Sequence, residues 1–241
     1  MTMATGRVDV HSHLLPGIDD GCETLEESVA CAKELVTHGY THSFCTPHVT
    51  PQFPAHTVEF VTARVVELQA ELERARVPLT LLPGGEINLW PDIATTMDNE
   101  QVLTFAMARR TCLVDLWADR LPPTFADDIR WLQGKGLRVI LAHPERMKAV
   151  QDDPDLADRF AELGVMLQGN LQCIGDDVSL PSRRVAEKFL REGRYFMLGT
   201  DLHRLHSLPS RLRGLAVARK LVGEPELNRL TITNPSTLLE G

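Results

Sequence analysis

The stretch VDVHSHLLPGIDDG, Val8 to Gly21, begins as a short β-branched run and changes character within a few residues. His11 and His13 stand one residue apart, and Pro16, Gly17, Asp19, Asp20 and Gly21 follow at once. On an extended backbone that alternate spacing points both imidazoles to the same side. Imidazole and carboxylate are each unfavourable to bury without a partner, and each ligates hard or borderline metals. The stretch reads as a strand ending in a ligand-rich loop, or as a polar turn.

The same grammar recurs along the chain. THSFCT (41–46), LTLLPGGE (79–86), TCLVDLW (111–117), LRVILAH (137–143), GVMLQGN (164–170) and RYFMLGT (194–200) are short apolar, β-branched runs with helical patterns between them. That alternation predicts an α/β fold of βα units around a parallel sheet, organised as one domain over residues 1–241. Thr24 with Glu27 forms a capping box for a helix whose apolar face is Leu25, Val29, Leu35 and Val36 and which Gly39 closes. Val58, Val61, Val65, Leu68 and Leu72 recur at helical steps, with Pro78 as the stop signal. Weaker helical patterns cover 125–135, 155–163, 182–193 and 210–222, and 87–110 carries no decisive period.

If the sheet closes into a barrel, the C-terminal ends of its strands share one rim, where barrel enzymes build their sites. The first run delivers His11 and His13 to that rim, and the second delivers His48. The third brings Glu86 after Gly84 and Gly85, the fourth Asp115, the fifth His143, and the seventh Asp201 and His203. The sixth brings neither a histidine nor a carboxylate. A lone histidine at a strand end is more often a hydrogen-bonded polar residue than a ligand. So many imidazoles and carboxylates at one end would, however, be prohibitive to desolvate without cations. The nitrogen and oxygen donor set suits two or three divalent ions, with manganese first and iron or zinc as alternatives. Such ions lower the pKa of a bound water and suit displacement at phosphorus. Arg146, three residues beyond His143, offers a fork of donors for phosphate oxygens. The competing assignment for Arg146 is a salt bridge to Glu145 or Asp152.

Bulk properties narrow the partners. A net charge of -8 with no Lys/Arg cluster argues against nucleic acid. The N-terminus lacks the basic and apolar regions of a secretory signal, and no run is long and apolar enough to span a membrane, so a cytoplasmic location is expected. Five cysteines form no C-x-x-C pair, which disfavours a disulfide framework or thiolate zinc site. None is followed six positions later by the arginine that cysteine-nucleophile phosphatases require.

Taken together, HSHLLPGIDDG, TPH, GGE, AHPER and GTDLH resemble the polymerase and histidinol phosphatase (PHP) family of metal-dependent phosphoesterases, particularly its bacterial protein-tyrosine phosphatases of capsular and exopolysaccharide synthesis. The resemblance runs from Val8 to the terminal TNPSTLLEG. It implies a distorted seven-stranded (β/α) barrel. It implies one ion on His11, His13, Glu86 and Asp201, a second bridged by Glu86 to Asp115 and His143, and a third on Asp20, His48 and His203. Arg146 would be a phosphate-binding catalytic residue and Asp20 a second catalytic candidate, with Asp19 only shaping the turn. The implied activity is hydrolysis of phosphotyrosine on a protein partner, a cognate tyrosine kinase.

Two departures stand out. The branch usually offers Glu where this chain has Asp115. A second arginine, normally five residues after the D-x-H element, is replaced by Leu208 in Leu208-Pro209-Ser210, leaving Arg204 and Arg211 as candidates for its place. Two alternatives therefore stay open: a phosphatase of small phosphate esters such as histidinol phosphate, and a metal-binding regulatory module without catalysis.

Overall fold

The computed structural model describes residues 5–97, 99–107 and 110–239. The two ends of the expected 1–241 domain, and positions 98, 108 and 109 of the undecided 87–110 segment, lie outside them. Each apolar run forms a strand. They are β1 (Arg7–Ser12), β2 (Tyr40–Cys45), β3 (His48–Val49), β4 (Thr80–Pro83), β5 (Glu86–Asn88), β6 (Thr111–Asp115), β7 (Arg138–Ala142), β8 (Met166–Asn170) and β9 (Tyr195–Gly199). The second and third runs are each split in two. Thr46 and Pro47 separate β2 from β3, and Gly84 and Gly85 separate β4 from β5. Proline has no N–H to give a ladder. Across the break Gly84 N donates to Cys45 O (2.9 Å) and Glu86 N to Pro47 O (3.0 Å), which keeps the two broken runs side by side.

Pairing is parallel throughout. One sheet has the order β1-β2-β4, and the other β3-β5-β6-β7-β8-β9. An isolated parallel bridge, Ser12 to Leu202, brings the end of β1 against the chain leaving β9. Because every strand runs the same way, their C-terminal ends collect on one side. Val8 and Val10 of β1, Phe44 of β2, Leu113 of β6, Ile140 and Ala142 of β7 and Met197 of β9 form one apolar cluster, so these strands share an interior.

The helices are α1 (Leu25–Thr37), α2 (Val58–Arg74), α3 (Ile93–Thr96), α4 (Phe125–Gly134), α5 (Lys148–Asp152), α6 (Leu156–Glu162), α7 (Leu171–Gly175), α8 (Pro181–Arg191), α9 (Leu208–Asn228) and α10 (Asn234–Ser236). Their apolar sides join the strands' outer faces in a second, larger core. Thr24 caps α1 as expected, its hydroxyl accepting from Glu27 N. The Glu27 carboxylate takes the Glu23 N–H at 3.0 Å. The buried stripe of α1 is Ser28, Cys31, Ala32 and Leu35, with Leu25, Val29 and Val36 only half-buried at its edges. Small residues let that helix sit close to the sheet, which shifts the buried face from the larger apolar residues that periodicity favours. In α2 the expected Val61, Val65, Leu68 and Leu72 are all buried. The pattern at 210–222 belongs to α9, which begins at Leu208 and breaks at Gly223, whose φ of 83° is outside the helical range.

Candidate metal centre

The imidazoles of His11 and His13 lie with their Nε2 atoms 3.3 Å apart. Each ring is held from its far side. Gln168 Oε1 stands 2.9 Å from His11 Nδ1, and Asp19 Oδ2 stands 2.8 Å from His13 Nδ1. Acceptors on both Nδ1 atoms orient the rings so that both Nε2 atoms face one buried gap. Glu86, fully buried at the start of β5, aims Oε2 into that gap, 3.3 Å from His11 Nε2 and 3.4 Å from His13 Nε2. Its Oε1 is 3.0 Å from His143 Nε2. Buried Glu86 Oε2 and His48 Nδ1 have no hydrogen-bond partner of acceptable geometry, although they approach to 2.9 Å. Imidazole nitrogens and a carboxylate oxygen converging on one buried point, without a hydrogen bond of good geometry between Glu86 Oε2 and His48 Nδ1, fit a cation.

The remaining expected ligands close the ring. Asp201 points Oδ1 at His11 Nε2 (3.4 Å), His13 Nε2 (3.6 Å) and His203 Nδ1 (3.4 Å). Its Oδ2 accepts from Asn170 Nδ2 and Arg146 Nη1, both at 2.8 Å. Asp20 Oδ1 lies 3.2 Å from His48 Nε2 and 3.4 Å from His203 Nε2. Three groups result, each able to offer converging ligand atoms. They are His13 with Asp20, His48 and His203; His11 with Glu86 and His143; and His11 with His13 and Asp201. His143 and Asp201 both hold positive φ, 33° and 50°, at the ends of β7 and β9. Non-glycine residues there are strained, and such strain persists where surroundings over-determine it.

Eight of the nine expected ligands fall in these three groups, in a grouping that differs from the one the resemblance implies. Asp115 is buried at the end of β6 but belongs to none of the three groups. Its Oδ1 accepts from Leu116 N at 2.6 Å and lies 3.7 Å from His143 Nδ1. Burial raises its pKa. Its carboxylate lines the same cavity as Glu86, His143 and Asp201. Arg146 pairs with neither Glu145 nor Asp152. Glu145 accepts from Asn170 N, Asp152 pairs with Lys148, and Arg146 reaches Asp201 with its side chain 52 % exposed.

Two residues of the site, Gln168 and Asn170, carried no obvious signal, and others play parts different from those expected. Asp19 does more than shape its turn, since its buried carboxylate also accepts from Gly21 N (3.0 Å) and His48 N (3.2 Å) while it holds His13. β8, the run without a histidine or carboxylate, supplies Gln168 to His11 and Asn170 to Asp201. Polar amides at alternate positions of an otherwise apolar strand were the available clue. Arg211 is buried behind Asp201, donating to Thr200 O at 2.8 Å and lying 3.4 Å from Asp201 Oδ2. Arg204 is drawn to Glu23 and Glu27. Neither lines the cavity of about 520 Å³ into which the groups open, whose cationic lining residues are Arg146 and Lys148.

A family model described as capsular polysaccharide synthesis, CpsB/CapC, matches residues 7–240. The chain belongs to the CpsB/CapC family. Among curated relatives it is 26% identical over 214 residues to a putative tyrosine-protein phosphatase CapC of Staphylococcus aureus, covering 89% of this chain and 84% of the relative. It is 25% identical over 247 residues to the tyrosine-protein phosphatase CpsB of Streptococcus agalactiae, covering 97% and 98%. Its fold is similar to crystal structures of YwqE from Bacillus subtilis and CpsB from Streptococcus pneumoniae, described as metal-dependent tyrosine phosphatases, with a TM-score of 0.86 at 23% identity over 96% of this chain and 93% of the other. The likeness to a phosphotriesterase homology protein from Escherichia coli is lower, with a TM-score of 0.59 at 14% identity over 97% and 98%. Metal-binding geometry at the strand ends of a CpsB/CapC chain is therefore where its chemistry is sought.

Proposed function

We propose that this chain is a metal-dependent phosphatase that hydrolyses phosphotyrosine on a protein partner. The single observation that carries the reading is the set of three histidine and carboxylate groups that share His11 and His13 and open onto a cavity walled by Arg146. The family and the names of its relatives agree with it. We take the whole chain as one catalytic unit, and the two sheets as a distorted seven-stranded barrel in which β2 with β3, and β4 with β5, each count as one interrupted strand and Ser12 to Leu202 is the seam. The partner we favour is a tyrosine kinase of polysaccharide synthesis, met in the cytoplasm.

His11, His13, Asp20, His48, Glu86, His143, Asp201 and His203 are the residues that would hold two or three divalent ions, manganese first among them. Bound there, such ions would lower the pKa of water to supply a nucleophile at neutral pH and stabilise the negative charge on the phosphoryl oxygens. Glu86 presents its two oxygens to different histidines, which suits a bridging role. Asp20 faces two imidazoles, so we assign it to ligation rather than to proton donation. Arg146 is anchored on Asp201 with half its side chain exposed to the cavity, and it would swing one guanidinium edge to the phosphate oxygens. Asn170 holds the same Asp201 oxygen, so the carboxylate stays oriented when Arg146 moves.

The test is phosphate release from phosphotyrosine peptides beside a panel of small phosphate esters, with metal content measured on the same samples. Metal-dependent release with preference for the peptides supports the proposal. Preference for a small ester moves the reading to that substrate class, and metal binding without hydrolysis of any ester leaves a regulatory module.

A further inference from the structure

Trp117 stands apart from the other two tryptophans. Trp90 donates its indole N–H to Thr96 Oγ1 at 2.8 Å, and Trp131 carries Lys135 Nζ 4.8 Å from its ring centre. Trp117 follows Asp115 by two residues, is 54 % exposed and donates no hydrogen bond to a described residue. Its ring meets that of His48 edge-on, with centroids 5.1 Å apart and planes at 82°. A large indole left in water forgoes apolar burial worth having elsewhere, and tryptophan is on average among the well-buried residues. Its position gives the exposure a purpose. Leu116, Trp117, Ala118 and Asp119 line the cavity together with Arg146, and the buried Glu86, His143 and Asp201 form its floor.

A phosphate group alone leaves most of about 520 Å³ unfilled. The polar floor provides for the phosphate, and the wall provides an aromatic surface beside it. Aromatic rings pair favourably in offset or edge-on arrangements, and an aliphatic ester has no ring with which to do so. Resting on the phosphatase reading, we propose that Trp117 is the aryl platform of this site. Its indole lies against the ring of an aryl phosphate whose phosphate occupies the floor, and it thereby selects phenolic over aliphatic phosphate esters. Trp117 is a specificity-determining residue in this scheme and has no part in bond breaking. The contact with His48 ties the platform to the floor, so ring and phosphate are read in one register.

Two measurements test it on wild type, Trp117→Ala and Trp117→Phe, each checked for unchanged metal content. The first is calorimetric binding of phenylphosphonate and methylphosphonate, which cannot be hydrolysed at a phosphate ester. Trp117→Ala should weaken phenylphosphonate about tenfold, leave methylphosphonate unchanged, and be largely rescued by Trp117→Phe. The second compares phosphotyrosine and phosphoserine peptides of one sequence. Trp117→Ala should raise KM for the phosphotyrosine peptide alone, about tenfold, with kcat little changed. Equal loss for both phosphonates, no loss for either, or no binding of phenylphosphonate by wild type overturns the proposal. If wild type hydrolyses neither peptide, the phosphatase reading fails while the phosphonate comparison still decides the role of Trp117.

Discussion

His11 and His13 illustrate how a buried site can be made for positive charge. Burial opposes protonation of His13, His48 and His143, yet the neighbouring carboxylates outweigh it. Asp20 and Glu86 push His48 up to about 9, and Asp115 and Glu86 push His143 to about 9. The sign of the pH dependence follows. In chelator-treated protein these imidazoles are charged in the folded state above their unfolded pKa of 6.5, so their stabilisation is full below that value and is lost as pH rises through about 9. The melting temperature of metal-free protein should therefore fall across that window. Since ligation requires neutral imidazole, metal affinity measured in the same buffers should rise across it. A pH-independent affinity would contradict this assignment. Arg146 makes a different prediction, because it touches Asp201 only at the oxygen that Asn170 also holds. Arg146→Ala should keep its metal and lose activity about a hundredfold or more, whereas Asp201→Ala should lose both. Loss of metal in Arg146→Ala would show that the arginine is structural.

The strands and most helices are legible in the sequence because their periods are simple, and the exceptions have physical causes. α1 buries Cys31 and Ala32 in preference to Val29 and Val36, since close approach to a sheet rewards small side chains that a hydrophobicity pattern discounts. The described residues of 87–110 include the end of β5 and short helical turns without amphipathic length, so they offered no period to read. The ligands at strand ends were legible because histidine and carboxylate announce themselves. Gln168 and Asn170 were not, because strand amides have commoner explanations, while Asp19 and Arg211 stood out without any sign that they would hold His13 and back Asp201. The GGE turn carries its own prediction. A Cβ on Gly85 would meet Leu103 Cβ at 2.6 Å, just before Glu86 enters the site. Gly85→Ala should destabilise by about 1–3 kcal/mol in denaturant titrations and lower metal occupancy by displacing Glu86. Wild-type metal content in a destabilised variant would show that the turn supports the fold without setting the site.

What unites these details is the parallel arrangement of the strands, which brings site residues from His11 to His203 to one side of the molecule despite their separation in the chain. A chain with formal charge -8 gathers Asp20, Glu86 and Asp201 into the same site, and divalent cations are the partners that relieve that concentration. Membership of the CpsB/CapC family and the polar cavity at the strand ends direct the account toward phosphate esters. The most direct test is a metal titration of chelator-stripped protein in which bound metal and phosphate release from a phosphotyrosine peptide are followed together. No release is expected without metal, and release should rise as two or three equivalents of manganese bind. Full activity in protein stripped of metal would contradict the metal-dependent reading.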